Sequence, residues 1–311
     1  MLPLSQSHLS QLSACPRKYQ YIFFDTLSGP STYEQHVTTQ WGSQFHRLMQ
    51  QQALNLPVNI LSEADSEMAA SLMALKAAAP DVFAYLPESN AAMDASHTGA
   101  FSQSEHRRTL AFNGYLLTVV YDLLVIENER SGHIFDWKTH QQPPKKVWLE
   151  QDWQTRLYLY VLCETSQLPP ESISMTYWFV RLGQSAIQTR EVDRTEIDQT
   201  EVDQIEIDQT ETDQKVAAQP SAYKFTYGLA QHDQTRRDLQ QLTDELTNMR
   251  SQAHFPKVAI EKGLCDRCPF NVRCDRIAPA QAVSHSLGQD PRQLLKAAQQ
   301  LTIDSVQEIP L

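Results

Sequence analysis

The sequence predicts an α/β fold on two observations: β-prone runs at 114–126, 133–138 and 173–182, and segments of helical periodicity before, between and after them. The chain is organised around a hairpin, Gly114 to Lys138. Gly114–Ile126 is an almost unbroken aliphatic and β-branched run, the composition of a strand buried on both faces, interrupted by Asp122. Glu127–Gly132 supplies turn chemistry, and His133–Lys138 returns with Ile134, Asp136 and Lys138 alternating onto one face. Folding about that turn sets Asp122 opposite Asp136 to Lys138. Opposed Cβ atoms in an antiparallel pair lie roughly 4.5 to 5.5 Å apart, so two carboxylates and an ammonium converge. Like charges that close repel, and a divalent cation between the carboxylates offsets the repulsion. The plainer alternative is two strand-end acids with Lys138 as their ion-pair partner.

With 311 residues, 41% apolar and 9% aromatic, the chain is long enough for one sizeable core plus appendages. No apolar stretch approaches the roughly 20 residues of a membrane span, and the start lacks a signal-peptide pattern, so a cytoplasmic protein is expected. The net charge of −11 argues against a nucleic-acid partner only on first sight. Residues 190–214 hold ten acids and two arginines, a net of −8, which leaves −3 for everything else. A local basic groove is therefore compatible with the remainder, with Arg17 and Lys18, Arg107 and Arg108, Lys145 and Lys146, and Lys257 to Arg276 as its candidates.

The elements follow in order. Ser5 caps a first helix with Leu9 and Leu12 on one face; it ends near Cys15 because Pro16 cannot continue it, and a second short helix starts with Pro16 in its first turn. Thr38 or Thr39 caps a third, whose Trp41, Phe45, Leu48 and Met49 form a core stripe. His46 shares a flank with Gly42, whose missing side chain leaves room beside the imidazole; without a partner His46 reads as an ordinary half-buried histidine. Leu61–Leu86 is an alanine- and methionine-rich helical layer. Phe101–Phe112 is a strand joining the sheet ahead of the hairpin. A helix over 147–164 places Gln154 and Tyr158, four apart, on one face. Ile173–Leu182 is a further strand, 185–192 its hairpin partner, and Lys224–Tyr227 a resumption of the sheet edge. Residues 190–214 are a five-residue acidic repeat whose period matches neither helix nor strand, and which lacks the glycine and ligand offsets of an EF-hand loop. Asp233–Met249 is an amphipathic helix.

Cys265, Cys268 and Cys274 form a C-x2-C-x5-C cluster of three thiols, which requires a fourth ligand. Cys163 has apolar helical neighbours and reads as a core residue, which leaves Cys15 at its helix break. Four thiolates suit an iron-sulfur cluster or structural zinc, and spacing does not choose between them.

Leu4-Ser5-Gln6-Ser7 followed by Cys15–Tyr19, Gly42 to His46, Tyr121-Asp122, Phe135–Thr139, Gln154 to Tyr158 and the terminal cysteines, in that order, resemble the PD-(D/E)XK nuclease superfamily. The branch resembled is the RecB-like one with an iron-sulfur cluster, as in the AddB nuclease domain and the CRISPR-associated exonucleases. The resemblance implies a restriction-endonuclease-like core, a mixed central sheet flanked by helices, with a cluster joining the N-terminal helix to the C-terminal segment. It implies a nuclease domain over 1–278, with a helical insertion at about 50–100, the repeat insertion at 190–214, a cluster segment at 256–278, and an accessory tail at 279–311. His46, Asp122, Asp136 and the Trp137 carbonyl would bind Mg2+ or Mn2+, Lys138 would orient and activate the attacking water, and Gln154 and Tyr158 would contact DNA. Cys15, Cys265, Cys268 and Cys274 would hold a [4Fe-4S] cluster. The expected activity is exonucleolytic cleavage of single-stranded DNA ends in repair, recombination or CRISPR adaptation, with helicase or repair/CRISPR proteins as partners; with no Walker loop G-x-x-x-x-G-K-[ST], the chain carries no helicase motor of its own. The competing expectation is a silent nucleic-acid-binding or scaffolding subunit stabilised by an iron-sulfur or zinc site.

Overall fold

Among the described residues six strands form one mixed sheet: β1 (Leu2–Leu4), β2 (Ala100–Phe112), β3 (Tyr115–Glu127), β4 (Ser131–Lys138), β5 (Ile173–Phe179) and β6 (Ser221–Thr226). This computed structural model describes residues 1–29, 33–58, 66–86, 100–139, 143–181 and 219–276. The strand expected at 185–192, the acidic repeat, the tail at 279–311 and parts of the helical insertion lie outside the described residues. The helices are α1 (Gln6–Ala14), α2 (Pro16–Phe23), α3 (Tyr33–Ala53), α4 (Ser66–Ala78), α5 (Pro80–Phe83), α6 (Lys146–Gln151), α7 (Trp153–Glu164) and α8 (Leu229–Ser251). Among the described residues no helix is long and apolar enough to cross a membrane.

The chain divides into two compact units, one of residues 1–6 and 33–241, the other of 7–32 and 242–311. The first contains the whole sheet. Strand β3 is its axis: β2 pairs antiparallel along its full length on one side, while the other side is shared by β1, parallel against Tyr115–Leu117, and β4, antiparallel against Leu123–Glu127. Strand β4 then runs parallel to β5 as far as Lys138, and β6 closes the sheet antiparallel to β5. Such parallel pairing requires a crossover, which α6 and α7 provide.

The predicted stripe of α3 is buried: Phe45, Leu48 and Met49 pack with Met68, Leu72 and Leu75 of α4 and with Leu123, Phe135 and Trp137 of the sheet. The single helix expected over 147–164 is divided at Asp152, whose backbone is extended and whose carboxylate accepts the Gln154 N–H at 2.7 Å. An aspartate is a strong N-cap, and here capping overrides helical continuity. The second unit joins both ends of the described chain: the Arg17 N–H donates to the Pro256 carbonyl at 3.1 Å, and Tyr21 packs edge-on against Phe270.

Strands β2 and β3 are joined by Asn113 and Gly114 alone, both in left-handed conformations with φ of 46° and 81°. That is the two-residue turn whose twist matches a hairpin, with asparagine and glycine where positive φ is required. No atom lies within 4 Å of where a Gly114 Cβ would stand, so Gly114→Ala introduces conformational strain and nothing else. We expect a loss of about 1 kcal/mol in urea unfolding; unchanged stability would show that the turn is not held as described.

Candidate active site

Between the stretches that β1 and β4 cover, one edge of β3 is unpaired among the described residues, and Asp122 is the first residue beyond the β4 ladder. The register continued by one residue places Asp122 opposite Asp136, the juxtaposition expected from the sequence. The two strands diverge at this point. The Trp137 N–H, instead of bonding to backbone, donates to Asp122 Oδ2 at 2.8 Å. From the other edge the Ser104 hydroxyl donates to the Asp122 carbonyl at 2.9 Å, so the residue is fastened on both sides.

His46 reaches this fork from α3, its Nδ1 3.2 Å from Asp122 Oδ1. Gly42, one turn earlier, lies against Thr139: a Cβ there would stand 2.8 Å from Thr139 Oγ1. The space expected beside the imidazole is thus taken by the end of β4. Asp136 and Lys138 form a second focus. Lys138 Nζ is 2.7 Å from Asp136 Oδ2 and donates to Gln154 Oε1 at 2.7 Å, while Gln154 Nε2 donates to Asp136 Oδ1 at 2.6 Å. The ammonium also sits 4.5 Å from the centre of the Tyr177 ring. Gln154 thus bonds both members of the Asp–Lys pair and also the Tyr158 side chain, and Tyr158 is buried, its ring against Tyr121 and its carbonyl accepting the Tyr121 hydroxyl. Cys163 is free and half-buried, 3.6 Å from the Leu168 carbonyl.

Glu105 was not singled out by the sequence. It stands in β2 directly across from Asp122, in a left-handed conformation (φ 51°) that interrupts the ladder between His106 and Ser104. Strained backbone of this kind gathers at functional sites. Ligand atoms of His46, Glu105 and Asp122 all lie within 4.8 Å of one another. One imidazole nitrogen with carboxylate oxygens is a donor set that suits Mn2+ or Mg2+. Asp136 is outside this trio. The signal that would have found Glu105 is Asn113-Gly114: recognising the two-residue turn fixes the β2–β3 register, and counting back from it pairs Glu105 with Asp122.

The electrostatics are those of crowded negative charge. Burial, and next the charge of Asp122, hold the Asp136 carboxyl well above the usual carboxylate range against the pull of Lys138; its side chain is 4% exposed. Glu105 is raised by burial and by Asp122. Burial alone would lower His46, but the hydrogen bond and charge of Asp122, with Asp136 and Glu105 behind it, outweigh this and raise it.

In the second unit Cys15, Cys265, Cys268 and Cys274 line one cavity together with Lys18 and Tyr21. Burial raises the Cys268 thiol, and Cys274 and Cys15 push it the same way while Lys18 opposes them.

The model of one protein family, the PD-(D/E)XK nuclease superfamily, matches residues 3–275. No curated protein sequence matches. Among solved structures the chain is similar to SSO0001, at 12% identity over 89% of this chain and 86% of that one with a TM-score of 0.34. It is also similar to a protein of Eubacterium rectale provisionally named an exonuclease, at 8% identity over 96% and 93% with a TM-score of 0.44.

Asp136, Glu105 and His46 all bind protons more tightly when folded than their ordinary values imply. The contribution of these three groups to the stability of the metal-free protein is therefore lost as pH rises from the usual carboxylate range, near about 4, through neutrality. A cation among these groups removes that penalty. The melting temperature gained on adding Mn2+ should thus be larger at pH about 8 than at pH about 5.5, as measured by differential scanning fluorimetry. An equal or smaller gain at the higher pH would contradict this electrostatic account.

Proposed function

The chain belongs to the PD-(D/E)XK nuclease superfamily, which makes it a phosphodiester hydrolase, and on that premise we propose a metal-dependent DNA exonuclease of the RecB-like branch. We assign it to single-stranded ends in repair, recombination or CRISPR adaptation, working beside a helicase or other partner protein, with residues 1–278 as the nuclease domain. The observation that supports the reading above all is the fork, where Asp122 meets His46 and Glu105, and the Asp136–Lys138 pair is locked by Gln154.

His46, Asp122 and Glu105 are the residues that would hold a divalent cation, with Asp136 across the fork. When bound, the cation reverses the sign of the local field so that an anionic phosphodiester is attracted, and it stabilises the charge that develops on phosphorus oxygens. The protein's own groups do the rest. The Trp137 N–H fixes the rotamer of Asp122, so the other oxygen faces His46. Lys138 carries a positive donor at the site, where it orients the attacking water and its charge favours the transition state. The Tyr177 ring beneath the ammonium and the Gln154 amide beside it hold that donor in place. Gln154 is thereby a positioning residue for this pair, and we keep Gln154 and Tyr158 as the residues that contact DNA beside it.

We assign the cavity lined by Cys15, Cys265, Cys268 and Cys274 to a [4Fe-4S] cluster. The convergence of these four cysteines, three of them from one C-x2-C-x5-C run, on a single cavity supports that reading.

Labelled single- and double-stranded DNA, incubated with anaerobically purified protein with and without Mn2+, tests the activity. Asp136→Ala and Lys138→Ala should each lower cleavage by at least about a hundredfold without loss of fold. Near wild-type rates in both would refute the site. Glu105→Gln should raise the Mn2+ concentration for half-maximal cleavage roughly tenfold or more; an unchanged requirement removes Glu105 from the ligand set. Cys15→Ser should abolish the brown colour, while Cys163→Ser should retain it. The reverse result would overturn the ligand assignment.

A further inference from the structure

Helix α6 follows the strand that carries Asp136 and Lys138, and it leaves a tryptophan in the open. Trp148 is 63% exposed, the only exposed tryptophan among the described residues, and Val147 beside it is also exposed. The ammonium of Lys145 lies 5.3 Å from the centre of its ring, and that of Lys146 lies 5.5 Å from the ring of Phe225. An indole contributes little to the fold when most of its surface meets water. A large flat apolar ring flanked by cations instead matches a base together with its phosphates.

Contacts tie this helix to the catalytic pair. The Leu149 carbonyl at its end accepts the Thr155 hydroxyl at 2.5 Å, and Thr155 is 2.8 Å from the hydroxyl of Tyr177. Tyr177 is the ring under Lys138, and its edge-on neighbour at 5.6 Å is Phe225, the ring under Lys146. Lys138 and Lys146 are thus seated on two adjoining rings, and α6 is fixed to the same pair.

We propose that Trp148, with Lys145 and Lys146, is a stacking platform for single-stranded DNA, holding one base on the indole and neighbouring phosphates on the two ammonium groups. The proposal rests on the reading of the substrate as single-stranded DNA. The platform recognises no base edge, so it works for any sequence, as exonucleolytic progress along a strand requires.

The test uses the full chain with a fluorescent oligothymidylate, Ca2+ replacing Mg2+ so that binding is read by anisotropy, and Mn2+ restored for kinetics. Trp148→Ala should weaken binding by at least about fivefold and raise KM by a similar factor with little change in kcat. Trp148→Phe should bind nearly as well as the wild type. Lys145→Gln should reduce the slope of log Kd against log salt by about 0.7. Wild-type binding that Trp148→Ala leaves intact, at an unchanged melting temperature, overturns the platform alone. A wild-type protein that binds duplex but no single strand overturns the substrate reading and the platform with it.

Discussion

The hydrogen bond from the Trp137 N–H to Asp122 is the constraint on which the site depends. Strands β3 and β4 pair up to Leu123 and Phe135 and then part, and in a buried sheet an N–H released from its ladder must find another acceptor. Asp122 supplies it through a side-chain oxygen. One interaction therefore satisfies the backbone, fixes the carboxylate and leaves its second oxygen aimed at His46. The sheet tolerates the divergence because β4 keeps its full ladder with β5. Residues on either side of the fork are buried toward different helices: Leu123 in the α3–α4 core, Tyr121 bonded to α7.

Much of the site is charge that the fold concentrates before any substrate arrives. Asp136, Glu105 and Asp122 are gathered in partly or wholly buried positions, at a cost that Lys138 and His46 offset only in part. Proteins keep such arrangements at functional sites, where the same groups are stabilised once a cation or ligand supplies the missing positive charge. Gln154 has a distinct part: it gives its amide N–H to Asp136 and its oxygen to Lys138, so the pair keeps its geometry while the charges around it change.

The central strands, the proline break at Cys15 and the core stripe of α3 were legible in the sequence because each rests on local chemistry: β-branched runs, a missing N–H, a 3.6-residue period. The opposition of Asp122 and Asp136 was legible because a hairpin register is a matter of counting. Glu105 was missed for want of the same count on the other side, where Asn113-Gly114 sat unread. The break at Asp152 was hidden by continuous helical periodicity over 147–164, with a cap outweighing the pattern. Strand β1 was not legible at all, since three residues carry no periodicity and owe their conformation to pairing with Tyr115–Leu117. The partners of Gln154 were equally out of reach, because a motif spacing gives a face of a helix and not the atoms met there.

The second unit draws its residues from both ends of the chain, and Tyr21 and Cys274, which meet in it, are 253 residues apart in sequence. During synthesis at about 5–20 residues per second, helices α1 and α2 emerge on the order of tens of seconds before the segment they pack against exists. Tyr19, buried in the finished protein and stacked on Phe255, lacks that ring throughout the interval. All the strands of the sheet lie before residue 227. Order of synthesis therefore divides the described residues: every strand has been made by that point, whereas the cysteine-lined cavity is incomplete until residue 274 has been added, so a nascent chain stalled before residue 265 would carry the residues of the fork but, of the four cysteines of that cavity, only Cys15.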